Sequence, residues 1–396
     1  MGIRQPQPGE NANRLNAKLK HKRIARLWIQ RKNLKQEHER IQRNQQVVDV
    51  RRRVSRRVVL NRYHEKSEFA DVREFLATNA ATSHKATEHN NKRTMDAVLV
   101  IDKPAGLTSH DVVARVRRLL GERSVGHLGT LDPLATGVLP LLTGRYTRLA
   151  QFYTAADKTY EGVIRLGFAT DTWDADGEPL GPPQPVKVSL EELQKVAQEL
   201  SGDIEQQPPK FSAKKIGGVP AYKLARKDRE VELKKVRVLV HRFEIHNVEA
   251  DRASFTAEVS SGTYVRALAH ELGQKLEVGA HLAELRRTRS GEFTLDQAVT
   301  LDRLAEIKNN GLSHEGKLPD LLSTVSLHPR QILPQIPSVT VNDETAGLIG
   351  NGRAVNLPEF SGARQVKVFL GQEELIAIAS RIAGTLFQPK VVLRAA

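Results

Sequence analysis

An α+β fold ending in a small C-terminal β-barrel is what this 396-residue sequence predicts, and three observations predict it. After Met95, strand-like and helix-like segments alternate without the strict βαβ rhythm of a doubly wound parallel sheet. From Pro337 onward, short apolar runs are separated by turns at Gly350, Gly352, Gly362, Gly371 and Gly384, the texture of a small barrel. The net charge of +15 is concentrated elsewhere: residues 1–94 hold 23 Lys+Arg against 9 Asp+Glu, a net of +14. The remainder is almost neutral and of ordinary globular composition. The length allows two to three domains.

Residues 1–94 are rich in Arg, Gln and Asn and carry Arg51-Arg52-Arg53 followed by Arg56-Arg57. Leu27, Leu34 and Ile41 recur every seven residues, so a basic amphipathic helix is one reading of part of the segment. The composition favours the other, a solvated, disordered extension that attracts polyanions without reading their sequence. The two methionines are Met1 and Met95, and Met95 falls where the composition changes. The folded protein is therefore expected to begin at Met95, with the upstream part an extension or a start-codon artefact.

Ala97–Ile101 reads as a buried strand ended by Lys103-Pro104. Ser109 is the expected N-cap of a helix through Leu120, with Val112, Val113, Val116 and Leu119 inward and Gly121 as its stop. Residues 124–143 read as a Gly-bearing apolar loop region, Lys158–Phe168 as a strand and Asp171–Gly177 as a turn-rich acidic loop. Ser189 and Glu192 form a capping box for a helix that turns Leu193, Val196, Ala197 and Leu200 inward and closes at Gly202. Arg237–Val248 and Ser254–Ser260 read as strands, Tyr264–Leu276 as a helix and Leu285–Phe293 as a further strand. Pro334 and Pro337 mark a linker. Beyond it, Ser338–Val341, Gln365–Leu370, Leu375–Ser380 and Lys390–Leu393 are the strands of the barrel.

The absence of cysteine excludes disulfides, iron–sulfur clusters, thiolate zinc sites and cysteine nucleophiles. No apolar run reaches the ~18 residues of a membrane span. The first ten residues, with Pro6, Pro8 and Glu10, lack the apolar core of a secretory signal, so a soluble, cytoplasmic protein is expected. The 13 histidines show no paired metal-ligand spacing, and there is no phosphate-binding Gly-Lys-Ser/Thr loop or Gly-x-Ser-x-Gly elbow. The densest unusual segment is Gly126-His127-Leu128-Gly129-Thr130-Leu131-Asp132-Pro133-Leu134-Ala135-Thr136-Gly137. Its glycines and proline hold His127 and Asp132 in a shaped loop. Arg266 stands at the start of a predicted helix, and Tyr160 at the start of a predicted strand. Taken singly, each has a structural explanation: a turn at Asp132-Pro133, a surface arginine, a packed tyrosine.

Together these segments resemble the bacterial tRNA pseudouridine-55 synthase family. The matching stretches occur in the family's order: Lys103-Pro104-x-Gly106-x-Thr108-Ser109; Gly126–Gly137; Lys158-x-Tyr160 with Leu166-Gly167; Thr170-Asp171-Thr172 with Asp174-x-Asp176-Gly177; Ser261–Arg266; and Leu285–Gly291. They cover about 95–396. The resemblance implies a mixed, largely antiparallel sheet in a catalytic domain at 95–330 and a PUA-like RNA-binding barrel at 331–396. Asp132 is implied as the catalytic nucleophile, Arg266 as the cation that keeps it ionised, and Tyr160 as the ring that stacks on the base and moves the final proton. His127 is implied to fill the stack vacated by the flipped uridine, and Tyr264 and Leu285 to wall the base pocket. Lys103 and the basic segment with Lys210, Lys214 and Lys215 are implied RNA contacts. The partner implied is the T stem-loop of tRNA, with no cofactor, no metal, no membrane and a monomeric enzyme.

Two other readings share the scaffold. A guide-RNA-directed relative acting inside a ribonucleoprotein often carries charged tails, as here. The insertion at 205–227, with Gln207-Pro208-Pro209 and Ala221-Tyr222, looks instead like the stand-alone bacterial form. A non-catalytic RNA-folding factor is opposed by the intact Asp132, Tyr160 and Arg266 set.

Overall fold

The computed structural model describes residues 95–212, 215–216, 219–220, 233–313 and 322–394. The expectations for residues 1–94 and for the side chains of Lys214 and Lys215 lie outside these residues. Strand β1 (Val98–Lys103) is apolar on both faces because both are covered: Leu99 and Ile101 enter one core, Val98 and Val100 another, and all four are fully buried. Helix α1 (Ser109–Leu120) follows. Its cap is Thr108 rather than the expected Ser109, through a reciprocal box with Asp111: Asp111 N donates to Thr108 Oγ1 at 3.1 Å and Thr108 N to Asp111 Oδ2 at 3.0 Å. Val112, Val113 and Val116 face the core as expected, with Leu119 half-buried against it and Leu120 buried as well. Gly121 ends the helix at φ 64°.

Residues 124–143 are mostly sheet, which corrects the loop expectation. Strands β2 (Val125–His127) and β3 (Thr136–Thr143) are antiparallel partners, and only the stretch between them is irregular. The apolar run Val138–Leu142 hides β3, since a strand buried on both faces shows no alternation and Pro140 interrupts it. A 3₁₀ segment, Gly144–Phe152, leads to β4 (Lys158–Leu166). Helix α2 (Leu190–Glu199) carries the expected Ser189/Glu192 box and is followed by β5 (Gly202–Gln206). Short strands β6 (Lys215–Ile216) and β7 (Val219–Pro220) pair within the insertion. Then come β8 (Val236–Glu249), β9 (Arg252–Val259), helix α3 (Val265–Lys275) and β10 (Ala280–Ser290), the last beginning well before the expected Leu285. Gly291, at φ 60°, turns β10 back into β11 (Phe293–Thr294), so the expected single strand is a hairpin. β12 (Ala298–Val299) and helix α4 (Leu301–Ser313) complete this part.

The strands build a ten-stranded sheet in the order β12-β1-β3-β10-β4-β9-β8-β5, with β2 on β3 and β11 on β10. Among the described pairs in this sheet, β1–β12 and β3–β10 are parallel and the rest antiparallel, the mixed sheet expected. The main core fills one side of it with residues of α1, α2, α3 and α4.

Strands β13 (Ser338–Val341), β14 (Val355–Asn356), β15 (Gln365–Leu370), β16 (Glu374–Ala383) and β17 (Leu386–Val392) form a second sheet, order β13-β15-β16-β17-β14, curled as a half-barrel. This region also holds a helix the sequence did not reveal, α5 (Asp343–Gly350), which buries Ala346 and Ile349. Its last residue, Gly350, reads as a turn residue in the sequence. The proline-marked linker is packed: Ile332 and Leu333 are fully buried, and Lys367 Nζ donates to Ile332 O at 2.6 Å and Arg330 O at 2.8 Å. Val98, Val100 and Leu142 share a core with Phe369, Leu375 and Ile378, so the half-barrel covers the second face of β1. Among the described residues no helix is long and apolar enough to cross a membrane.

Candidate active site

The irregular stretch between β2 and β3 carries Asp132, and its shape is imposed from several sides. Ser109, buried at the start of α1, accepts from Leu131 N at 2.8 Å and donates to Leu131 O at 3.1 Å, satisfying both backbone groups beside Asp132. Gly106 N donates to Pro133 O at 2.8 Å, and Ala135 N to Asp132 O at 3.1 Å. Lys103 Nζ donates to the carbonyls of Leu107 at 2.6 Å, Pro104 at 3.0 Å and Pro133 at 3.2 Å. On the far side the loop rejoins the sheet where β3 runs parallel to β10, Gly137 opposite Arg287. Gly137 has φ 97°, and a Cβ there would stand 2.2 Å from Arg287 O, so only glycine fits.

Arg266, the second residue of α3, is buried and divides its guanidinium among four acceptors. Nε lies 2.9 Å from Asp132 Oδ2, Nη1 3.1 Å from Asp174 Oδ2 and 3.2 Å from Thr172 O, and Nη2 2.9 Å from Phe211 O. Asp174 is itself held, accepting Thr172 Oγ1 at 2.5 Å and Asp176 N at 3.1 Å. The arginine is thus fixed by the acidic turn behind it and presents one nitrogen to Asp132. A side chain so engaged has little freedom left to lose when substrate arrives.

Asp132 and Arg266 lie in a cavity of about 280 Å³ walled by Tyr160, Tyr264, Leu285, Lys158 and Arg287. The structure therefore brings together Asp132, Tyr160, Arg266, Tyr264 and Leu285, all read from the sequence. Tyr160 is placed by β4, opposite Ala257 of β9 and Arg287 of β10. His127 is outside the cavity wall, on β2, its ring edge-on to His110 with centroids 5.9 Å apart. Lys210 is exposed. Lys103 is a correction: it is fully buried beneath the loop and cannot touch RNA, because its ammonium is consumed by backbone carbonyls. Burial pulls its pKa down to about 8, against the attraction of Asp132.

Three supporting residues escaped the sequence. Gln206 of β5, fully buried, accepts Tyr264 N at 2.8 Å and donates to Tyr264 O at 3.1 Å, fixing the entry to α3. Arg287 Nε donates to Val138 O at 2.7 Å and Nη2 to Gly129 O at 3.2 Å, placing a buried cation under the loop. Asp174 stood in a family-matching stretch, with no role assigned to it. Arg287 and Asp174 stand in motif stretches and Gln206 in none, but the task of each is set by a partner distant in sequence.

Two opposing influences act on Asp132. Burial pushes the Asp132 carboxyl above the usual carboxylate range; Arg266 and Lys103 oppose the rise, and Asp174 and Asp176 add to it. Burial outweighs the cation. A carboxylate held partly dry beside a fixed guanidinium is suited to nucleophilic attack or proton transfer on a group that enters the cavity.

Residues 117–265 match the TruB family pseudouridylate synthase N-terminal domain, and residues 266–326 match the tRNA pseudouridylate synthase B C-terminal domain. The tRNA pseudouridine synthase B of Solibacter usitatus (strain Ellin6076) is 45% identical over 302 residues, covering 76% of this chain and 100% of that protein. The tRNA pseudouridine synthase B of Aquifex aeolicus (strain VF5) is 39% identical over 302 residues, with the same shares. In the crystal structure of the archaeal box H/ACA sRNP Nop10-Cbf5 complex, a similar chain superposes with a TM-score of 0.56 at 25% identity, covering 76% of this chain and 87% of that one. Identity at this level over a relative's whole length is shared by fold and chemistry alike, and the chain belongs to the TruB family of pseudouridylate synthases.

Proposed function

We propose that the protein isomerises uridine to pseudouridine at position 55 in the T loop of tRNA, with Asp132 as the nucleophile. The observation that carries this reading is the pairing of Asp132 with the buried Arg266 in a cavity whose walls include Tyr160, Tyr264 and Leu285. The uridine is flipped out of the T loop into this cavity, at the cost of unstacking. Asp132 acts to release uracil from C1′ of its ribose as the N1–C1′ bond breaks. The uracil turns, C5 bonds to C1′, the proton displaced from C5 leaves through Tyr160 to solvent, and N1 takes up one proton from solvent, so that product and substrate are isomers. His127, at the edge of the site, occupies part of the vacated stack.

The half-barrel, as a PUA-like domain, and Lys210 of the insertion add contacts to the RNA backbone. The relatives at 39–45% identity are named for tRNA, whereas the H/ACA ribonucleoprotein chain is 25% identical, which favours a stand-alone enzyme. Purified protein is incubated with an unmodified tRNA transcript and pseudouridine is mapped. Modification confined to uridine 55 supports the proposal. Modification at another position, or only after a second RNA or protein is added, refutes it.

A further inference from the structure

Arg266 and His270 stand one turn apart on α3, and together they grip three consecutive residues of the acidic turn. Arg266 Nη1 takes Thr172 O and the Asp174 carboxylate. His270 takes the residue between them: its ring lies on the Trp173 indole with centroids 4.4 Å apart and planes 8° from parallel. Trp173 sits at φ 65°, a left-handed conformation that a bulky side chain keeps only when its surroundings hold it there. Its backbone is tied to Thr170 O at 3.3 Å and to Leu282 N at 3.0 Å. His270 Nδ1 is buried and makes no hydrogen bond, so the imidazole serves here by its face and not by that nitrogen. Neither ring is part of the cavity wall.

We propose that the Trp173–His270 stack is a positioning device for the reaction, holding Asp174 on Arg266 and through Arg266 fixing Asp132. The stack joins the turn to the helix that carries Arg266, and therefore sets the distance between Asp174 and the guanidinium. Without it the turn relaxes from the left-handed residue, the Asp174 carboxylate withdraws, and Arg266, left with Phe211 O and Asp132, is held less firmly against Asp132. This inference rests on the family's reaction and not on which uridine is modified.

Four variants test it. Trp173→Gly accepts φ 65° without strain and deletes the ring; His270→Ala deletes the opposite ring and leaves the turn's sequence intact. Trp173→Phe and His270→Phe retain a flat ring on each side. Turnover is measured on whichever uridine of an unmodified RNA the wild-type protein isomerises, so an error in the assignment of position 55 leaves the comparison standing. Both ring-deleting variants are expected to lower kcat by about 100-fold, as for a misplacement of about 1 Å, with KM within about twofold of wild type. Both phenylalanine variants should recover most of the loss. Wild-type kcat in His270→Ala overturns the proposal whatever Trp173→Gly does. So does a loss confined to KM, or phenylalanine variants as slow as the ring-deleted ones.

Discussion

Replacing Arg266 by methionine withdraws one guanidinium from two carboxylates at once. Nε lies 2.9 Å from Asp132 and Nη1 3.1 Å from Asp174, and the arginine side chain is only 6% exposed. Two unit charges centred about 4 Å apart attract by roughly 4 kcal/mol at an effective dielectric near 20. Methionine forfeits that attraction twice and leaves two acids facing each other. Breaking a buried pair from one side costs about 3–5 kcal/mol, and the lower end is expected because Asp132 retains 35% exposure toward the cavity. The sign of the pH effect follows from the same geometry. Burial raises the Asp132 pKa and Arg266 opposes that rise, so removing Arg266 raises it further and moves the ionisation of the carboxyl to higher pH. The acid limb of kcat/KM, which reports the free enzyme, should move to higher pH, with part of the lost rate returning as pH rises. Arg266→Lys keeps the charge without the fork, so it should hold the limb nearer its wild-type position yet recover only part of the rate. The assay is kcat/KM across the neutral range alongside urea unfolding. A folded methionine variant with wild-type kcat/KM and an unmoved acid limb would refute the reasoning.

Asp132→Asn should lower the rate by several orders of magnitude, each tenfold being about 1.4 kcal/mol of barrier, while RNA binding is kept; turnover within about tenfold of wild type removes the nucleophile role. The same variant tests the raised pKa by linkage. A carboxyl whose folded pKa is raised contributes stability below its unfolded pKa and loses it as pH rises through the folded value, so the asparagine variant should gain on wild type between acid and neutral pH in thermal unfolding. A difference that does not change with pH contradicts this. Tyr160→Phe should keep RNA binding and stall turnover, because the ring remains in the wall and the hydroxyl is gone; normal turnover means the proton leaves elsewhere. Residues 95–396 alone should fold and modify the same uridine, with a flatter dependence of RNA affinity on salt than the full chain, since +14 of the net charge lies before Met95. Loss of folding, or a change of the modified uridine, overturns the boundary.

Local chemistry decided much of this protein before any tertiary contact was known. The Ser189/Glu192 box, the stop at Gly121, the helix spanning Tyr264 to Leu276 and the strand Gln365–Leu370 depend on neighbours a few residues away, and each formed where the sequence put it. Asp132, Tyr160, Arg266, Tyr264 and Leu285 were legible as a set because their motifs stand in a family's order, and they meet in one cavity. The failures share another cause. β3 is a central strand buried on both faces, so its pattern carries no alternation; the Ser109 hydroxyl is taken by Leu131, 22 residues away, leaving the cap to Thr108. Lys103 looks like an RNA contact by residue type and is consumed by backbone carbonyls; Gln206, Arg287 and Asp174 acquire their tasks only from partners 58, 149 and 92 residues distant. Residue type and spacing set which groups are available for chemistry. Burial, which belongs to the assembled fold, decided which of them line the cavity and that the Asp132 pKa moves upward.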